Sequence, residues 1–145
     1  MASVRVSYSS IACAPPSEVI ASIIKASEVR NASNACSGLL GWSEWRYLQI
    51  IEGDSSRVNS IYKLIENDPR HNIEWCIEQD VKHRSIVPSL PMGYLDSSEF
   101  PEILKFHVEH DPLLLVNHLI SCGAKKYPSS ISAAYLSFSG EIKYI

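Results

Sequence analysis

The stretch YLQIIEGDSS, residues 47–56, reads as a strand that runs into the start of a helix. Side chains alternate across a strand, so Tyr47, Gln49 and Ile51 share one face and Leu48 and Ile50 the other. Both faces are apolar apart from Gln49, which predicts a strand covered on both sides. A buried primary amide costs free energy unless its donors and acceptor find partners. The rest of the chain must supply a partner for Gln49, or a ligand must.

Working outward, SVRVSYS alternates with Val4, Val6 and Tyr8 on one face and Arg5, Ser7 and Ser9 on the other, a strand with Tyr8 pointing inward. Pro15-Pro16 breaks that strand, Ser17 can cap, and Val19, Ile20, Ile23 and Ile24 make a helical stripe. The helix fades near Asn31, because NASNACSG is turn chemistry. GLLGW and YLQII form a hairpin turned around Ser43-Glu44. Gly53-Asp54-Ser55-Ser56 ends the second arm and opens a helix with its stripe at Val58, Ile61, Tyr62 and Ile65. That helix stops at Asn67-Asp68-Pro69, since proline disfavours helix in the residue before it. IEWCIEQDV, residues 73–81, gives a fourth strand in simple alternation without a bulge, so that Ile73, Trp75 and Ile77 share a face with Val81. VPSLPMGYL is a proline-interrupted approach to a short last strand. Beyond Asp96 the sequence suggests two short helices broken at Asp111-Pro112, then a weak tail.

The order strand, helix, strand, strand, helix, strand closes as one α+β sheet, a ferredoxin-like βαββαβ arrangement with both helices on one face, plus short C-terminal helices. The division expected is a first unit over 1–95 and a helical extension over 96–145 that packs on the sheet or at an oligomer interface. In this layout the first and third strands are neighbours and Tyr8 can meet Gln49. That is a first candidate partner for the amide.

A chain of 145 residues with net charge −3 and scattered basic residues gives no sign of a nucleic-acid partner. No stretch reaches the apolar length of a membrane span, and MASVRVSYSS lacks the apolar core of a secretory signal, so a cytoplasmic protein is expected. Cys13, Cys36, Cys76 and Cys122 have no paired spacing and read as reduced, buried thiols, neither disulfides nor zinc ligands. The histidines show no spacing that suggests a metal site.

VSYSS, RNASN with SGLL after the first helix, YLQIIEGDSSRVNSIYKLIENDPRH and a late Met-Gly occur in the order found in the BLUF domains, blue-light sensors using a flavin, and over residues 3–95 the chain resembles that family. The resemblance implies a flavin, FAD or FMN, inserted between the two helices with its ring edge at the sheet. It places Tyr8 on the photoactive tyrosine, Gln49 on the switching glutamine and Asn31 on the asparagine that hydrogen-bonds the carbonyl edge. Ile23 and Ile65 match the side chains that sandwich the ring. Asp68, Arg70 and His71 match the loop near the ribityl chain, Tyr47 the aromatic position two before the glutamine, and Met92 the methionine of the last strand. Arg30 precedes Asn31 and is a candidate contact to the ring's far edge or the cofactor tail. Three departures stand out: Leu90 where many members carry tryptophan, an approach to Met92 one residue longer with two prolines, and Leu64 beside Lys63 where some members have arginine.

Physically the assignments are coherent. A flat tricycle needs two apolar walls and a few polar groups at one edge, and Asn31 and Gln49 can each donate and accept. Taken singly, Tyr8, Ile23, Ile65 and Met92 are core residues, Gln49 a polar edge-strand residue and Asn31 a helix cap; only their joint spacing turns that reading over. The resemblance implies a photoreceptor, not an enzyme, in which light drives electron and proton transfer from Tyr8 and rearranges Gln49. Output is then expected through a downstream signalling protein in trans or through a homo-oligomer, helped by the greasy segment DPLLLVNHLI. Two alternatives are a light-insensitive module that kept the fold, and an acylphosphatase-like hydrolase. The second lacks support, because IACAPPS has neither the glycines nor the arginine of an anion-binding loop.

Overall fold

The computed structural model describes residues 3–42, 45–86 and 91–94, together with 113 and 116. In chain order the elements are β1 (Ser3–Ala12), α1 (Pro16–Ser33), β2 (Ser37–Trp42), β3 (Arg46–Asp54), α2 (Ser55–Glu66), β4 (His71–Val81) and β5 (Gly93–Tyr94). They form one sheet in the order β4-β1-β3-β2-β5. The first four strands are antiparallel in the ferredoxin-like order, and β5 adds a short parallel pairing to β2.

The β1–β3 register decides the site, because it sets Tyr8 opposite Gln49. Paired residues share a face, so Val4, Val6 and Tyr8 lie with Gln49 and Ile51 on the face that packs Val58, Ile61 and Ile65 of α2. The opposite face carries Leu48 and Ile50, neither with any exposed surface, so β3 is covered on both sides as its sequence predicts. That second face is not apolar throughout. Arg5 and Glu52 are paired there with no exposed surface on either side chain.

Several local expectations need correction. The first helix starts with Pro15 as its cap and Pro16 at its first position, not at a Ser17 cap. Proline's fixed φ and missing N–H suit a first helical turn, where no intrahelical acceptor awaits that N–H. At the far end Ala35 turns with φ of 53°, the left-handed conformation that closes many helices. The fourth strand does not alternate simply. Ser9 faces Trp75 while Ser10 faces Ile73, so Glu74 is an extra residue at a bulge. Ile73 therefore packs on the helix-side core, opposite in face to Trp75. The bulged Glu74 is held by Arg46 at 2.7 and 3.0 Å and by the Ser9 hydroxyl at 3.0 Å.

The thiols are only partly as expected. Cys36 is buried, but Cys13, in the turn after β1, and Cys76, on the edge strand β4, are exposed. Among the described residues no helix is long and apolar enough to cross a membrane. The Ser43-Glu44 turn, Leu90, Cys122 and most of the expected C-terminal helices lie outside the described residues. Of the leucine-rich segment, Leu113 is exposed and Val116 fully buried, both in helical conformation.

Candidate functional site

Between the two helices, above the middle of the sheet, lies a cavity of about 510 Å³ counted out to its open mouth. Its two walls are Ile23 from α1 and Ile65 from α2, and its floor is Tyr8, Leu40, Tyr47 and Gln49 from three strands. Arg30, Asp68, Arg70 and His71 complete the lining. The first helix explains how the space is kept open. Ile23, Ala26, Ser27 and Arg30 follow one another at helical spacing on one face, and the two small residues in the middle leave room beneath them. Correspondingly, the α1 stripe of Val19, Ile20, Ile23 and Ile24 is only half-buried, whereas α2 buries Val58, Ile61 and Ile65 fully.

At the floor, the Tyr8 hydroxyl donates to Gln49 Oε1. This answers the acceptor half of the question raised by the glutamine. The donor half remains, because Gln49 Nε2 is buried without a protein partner among the described residues. Burial also keeps the Tyr8 phenol protonated far above the ordinary 10.0 of a tyrosine, against the partial opposing pull of the nearby Arg30 charge. The Tyr8 ring is packed by Tyr62 and His71, each with ring centroids 5.9 Å away. His71 is itself pinned: Nε2 is 2.7 Å from the Ile65 carbonyl and Nδ1 2.7 Å from the Ser10 hydroxyl. A carbonyl only accepts, so Nε2 carries a hydrogen and, in the neutral ring, Nδ1 accepts from Ser10.

Two of the residues singled out from sequence do not line the cavity. Asn31 is fully buried, donates from Nδ2 to the Pro91 carbonyl at 2.8 Å, and leaves Oδ1 without a partner among the described residues. Met92 is also fully buried, immediately before β5, in a cluster with Leu40, Trp42 and Tyr47. Leu40 and Tyr47 are floor residues, so Met92 backs the floor rather than forming it. At the mouth, Arg70 grips Asp68 through Nε at 3.0 Å and Nη2 at 2.6 Å, and this holds the Asp68 carboxyl below the usual carboxylate range. Burial lowers the proton affinity of the Arg30 guanidinium, whose Nε has no partner among the described residues. Leu64, at the position of the missing arginine, points to solvent.

Ala26, Ser27 and Leu40 escaped the sequence reading, although the first two lie three and four residues after Ile23 and complete its helical face. The residues suit a flavin ring on a structural ground: two apolar walls flank a floor whose buried amide nitrogen, Gln49 Nε2, has no partner among the described residues. Ile23 and Ile65 would hold the ring faces, Gln49 its polar edge, and Arg30, Asp68, Arg70 and His71 the region toward the tail.

Comparison with known proteins points the same way. The model of the BLUF family, sensors of blue-light using FAD, matches residues 4–92. Among solved structures, the chain is similar to BlrB, a BLUF protein in its dark state, with 27% identity and a TM-score of 0.67 over 75% of this chain and 86% of that one. It is similar to a bacterial light-regulated adenylyl cyclase at 28% identity and a TM-score of 0.59, over 73% of this chain but only 31% of the cyclase. The photo-activated state of BlsA shares the fold at 19% identity and a TM-score of 0.63, covering 97% of this chain and 94% of that one. No curated protein matches the chain. With a family match over more than half its length, and a cavity between the two helices floored by a tyrosine bonded to a glutamine, this chain belongs to the BLUF family of blue-light sensors that use FAD.

Proposed function

We propose that the protein is a blue-light switch in which Tyr8 and Gln49 convert absorption by a bound flavin, FAD or else FMN, into a rearranged hydrogen-bond network. The observation that carries this reading is the Tyr8–Gln49 bond, with Gln49 Nε2 buried and unpaired at the floor of the cavity. The flavin, when bound, supplies the absorption of blue light and a strong photo-oxidant. Tyr8 is the residue placed to give up an electron. Its phenol is held neutral by burial, so loss of an electron must be accompanied by loss of the hydroxyl proton, and the acceptor in place is Gln49 Oε1. An amide that has taken that proton, or has turned to offer N–H where it offered oxygen, presents a different face to both neighbours. Return of the electron and proton restores the phenol while the amide keeps its new arrangement, which is the stored signal.

Residues 1–95 act as the sensor and 96–145 as an extension that packs on the sheet or at an oligomer interface. The signal passes to a protein partner or a second copy of the chain, without enzymatic turnover by this protein and without a nucleic-acid or membrane partner, in the cytoplasm. That BLUF domains can be coupled to an output is supported by the likeness to a light-regulated adenylyl cyclase.

An absorption spectrum before and after a blue flash tests the reading. A yellow protein whose spectrum shifts reversibly to the red is expected, and Tyr8→Phe should lose the shift while remaining yellow. A protein that binds flavin but shows no shift would be a light-insensitive module instead. A Tyr8→Phe variant that shifts normally would remove the tyrosine's role.

A further inference from the structure

On the face of the sheet away from the cavity, β1 and β3 carry a second rung. Tyr8 faces Gln49, and three residues along each strand Arg5 faces Glu52. Three residues of strand span about 10 Å, so the two rungs belong to the same stretch of paired backbone. Both charged side chains are fully buried. Arg5 donates to Glu52 Oε2 from Nε at 2.9 Å and from Nη2 at 2.6 Å. The remaining carboxylate oxygen, Oε1, accepts the Ile86 N–H at 2.6 Å, and Arg5 Nη2 also reaches the Ser85 hydroxyl at 2.9 Å. Neighbouring contacts tie the same segment down. Arg84 donates to the Ser37 hydroxyl at 2.7 Å and to the Ala35 and Glu52 carbonyls at 3.2 Å, and Ser37 donates to the Ile86 carbonyl at 3.0 Å.

Five residues after Ile86 come Pro91 and Met92, and there the chain is tied again, by α1 and by the floor residues. Asn31 Nδ2 donates to the Pro91 carbonyl, and Met92 packs behind Leu40 and Tyr47. Ser85 and Ile86 are thus anchored by the Arg5–Glu52 rung, and Pro91 and Met92 by Asn31 and by the floor residues Leu40 and Tyr47. A buried ion pair is a poor source of stability, since apolar residues of similar volume commonly do as well. What apolar residues cannot supply is an oriented acceptor for a particular backbone N–H.

We propose that Arg5 and Glu52 are positioning residues for the photoresponse: through the Ile86 N–H and the Ser85 hydroxyl they fix the chain five residues ahead of Pro91, so that a rearrangement at Gln49, on the other face of β3, is passed to Pro91, Met92 and β5. This inference rests on the blue-light reading above and deepens it by naming how the signal leaves the site. Tyr8 and Gln49 perform the chemistry, and the rung three residues away couples it to β5.

Glu52→Gln is the test, because a carboxamide of the same shape has one acceptor oxygen where the carboxylate has two. The one oxygen stays with the charged guanidinium, which holds it through two bonds, and the Ile86 N–H then faces an amide NH2 and loses its acceptor. Flavin-loaded wild type and variant are compared by amide hydrogen exchange, in darkness and under blue light, alongside the visible spectrum. The variant should keep a red shift of normal size. Its Ile86 amide should exchange at least about tenfold faster in the dark, as expected when a hydrogen bond to a charged group is lost. The light-minus-dark exchange difference at Gly93 and Tyr94 should collapse. Ser85→Ala, which leaves both charges paired, should act in the same direction more weakly and serves if Glu52→Gln does not fold. A variant that retains the wild-type light-minus-dark difference at Gly93 and Tyr94 overturns the proposal, as does one that loses the red shift together with that difference. A wild type with no red shift overturns the blue-light reading itself, a distinct result.

Discussion

Gly38 lies on β2 opposite Ile51 of β3, and the structure sets what a methyl group there would meet. A Cβ on Gly38 would stand 2.9 Å from the Ile50 carbonyl oxygen, 3.2 Å from Asn31 Nδ2 and 3.2 Å from Met92 Cε. The first contact is with backbone in the middle of the sheet and cannot be relieved by rotating a side chain. The other two press on the amide that holds Pro91 and on the methionine that backs the floor. Overpacking of this kind costs about 1–3 kcal/mol. Gly38 does not have a positive φ, so alanine also gains about 0.4–1 kcal/mol by restricting the unfolded chain. The steric cost wins, leaving a net loss of roughly 1–2 kcal/mol. With a urea slope of about 1–3 kcal/mol per molar, the unfolding midpoint of Gly38→Ala should fall by about 1 M. Displacement of Asn31 should also weaken flavin retention on dilution. Gly53→Ala is the control, because its Cβ would meet Cys36 Sγ at 2.8 Å and no other atom closer than 3.4 Å. A sulfur at the end of one rotatable bond can give way, so Gly53→Ala should cost less. An unchanged midpoint for Gly38→Ala, or a larger loss for Gly53→Ala, would refute the steric reasoning.

Two further perturbations probe the buried polar groups. Burial holds the Tyr8 proton well above the ordinary 10.0, so its contribution to stability is complete below about pH 10. It is lost as the pH rises further, because the unfolded phenol ionises there and the folded one does not. Urea midpoints measured across alkaline pH should decline less steeply in Tyr8→Phe than in wild type, and parallel slopes would contradict this. Arg5→Leu strands the fully buried Glu52 carboxylate and should cost about 3–5 kcal/mol, whereas Arg5→Leu with Glu52→Leu should recover most of that loss. The remainder is the orphaned Ile86 N–H. A double variant as unstable as the single one would show that the ion pair stabilises the fold outright.

What could be read from the sequence divides along a physical line. Tyr8 and Gln49 were legible as partners because strand alternation fixes their face and the βαββαβ order fixes their neighbours, and the register sets them opposite each other. Arg5 and Glu52 obey the same arithmetic, three residues before Tyr8 and three after Gln49 in antiparallel strands. They went unread because charge on a strand face is ordinarily a sign of solvent. The clue lay in Glu52 itself, which follows Leu48 and Ile50 on a face with no exposed surface and so requires a buried cation. The Glu74 bulge offered no comparable clue. A bulge is a property of two strands together, and IEWCIEQDV alternates well enough on its own to conceal it. Asn31 and Met92 fall between these cases. Their identities were legible, but whether each would line the cavity or stand behind it depended on Pro91, whose carbonyl takes the Asn31 amide. Local periodicity therefore sufficed for the groups that face the cavity from β1, β3 and the two helices. It failed where position depends on which distant backbone atom accepts a hydrogen bond, and that is the kind of contact through which this site is tied to the rest of the chain.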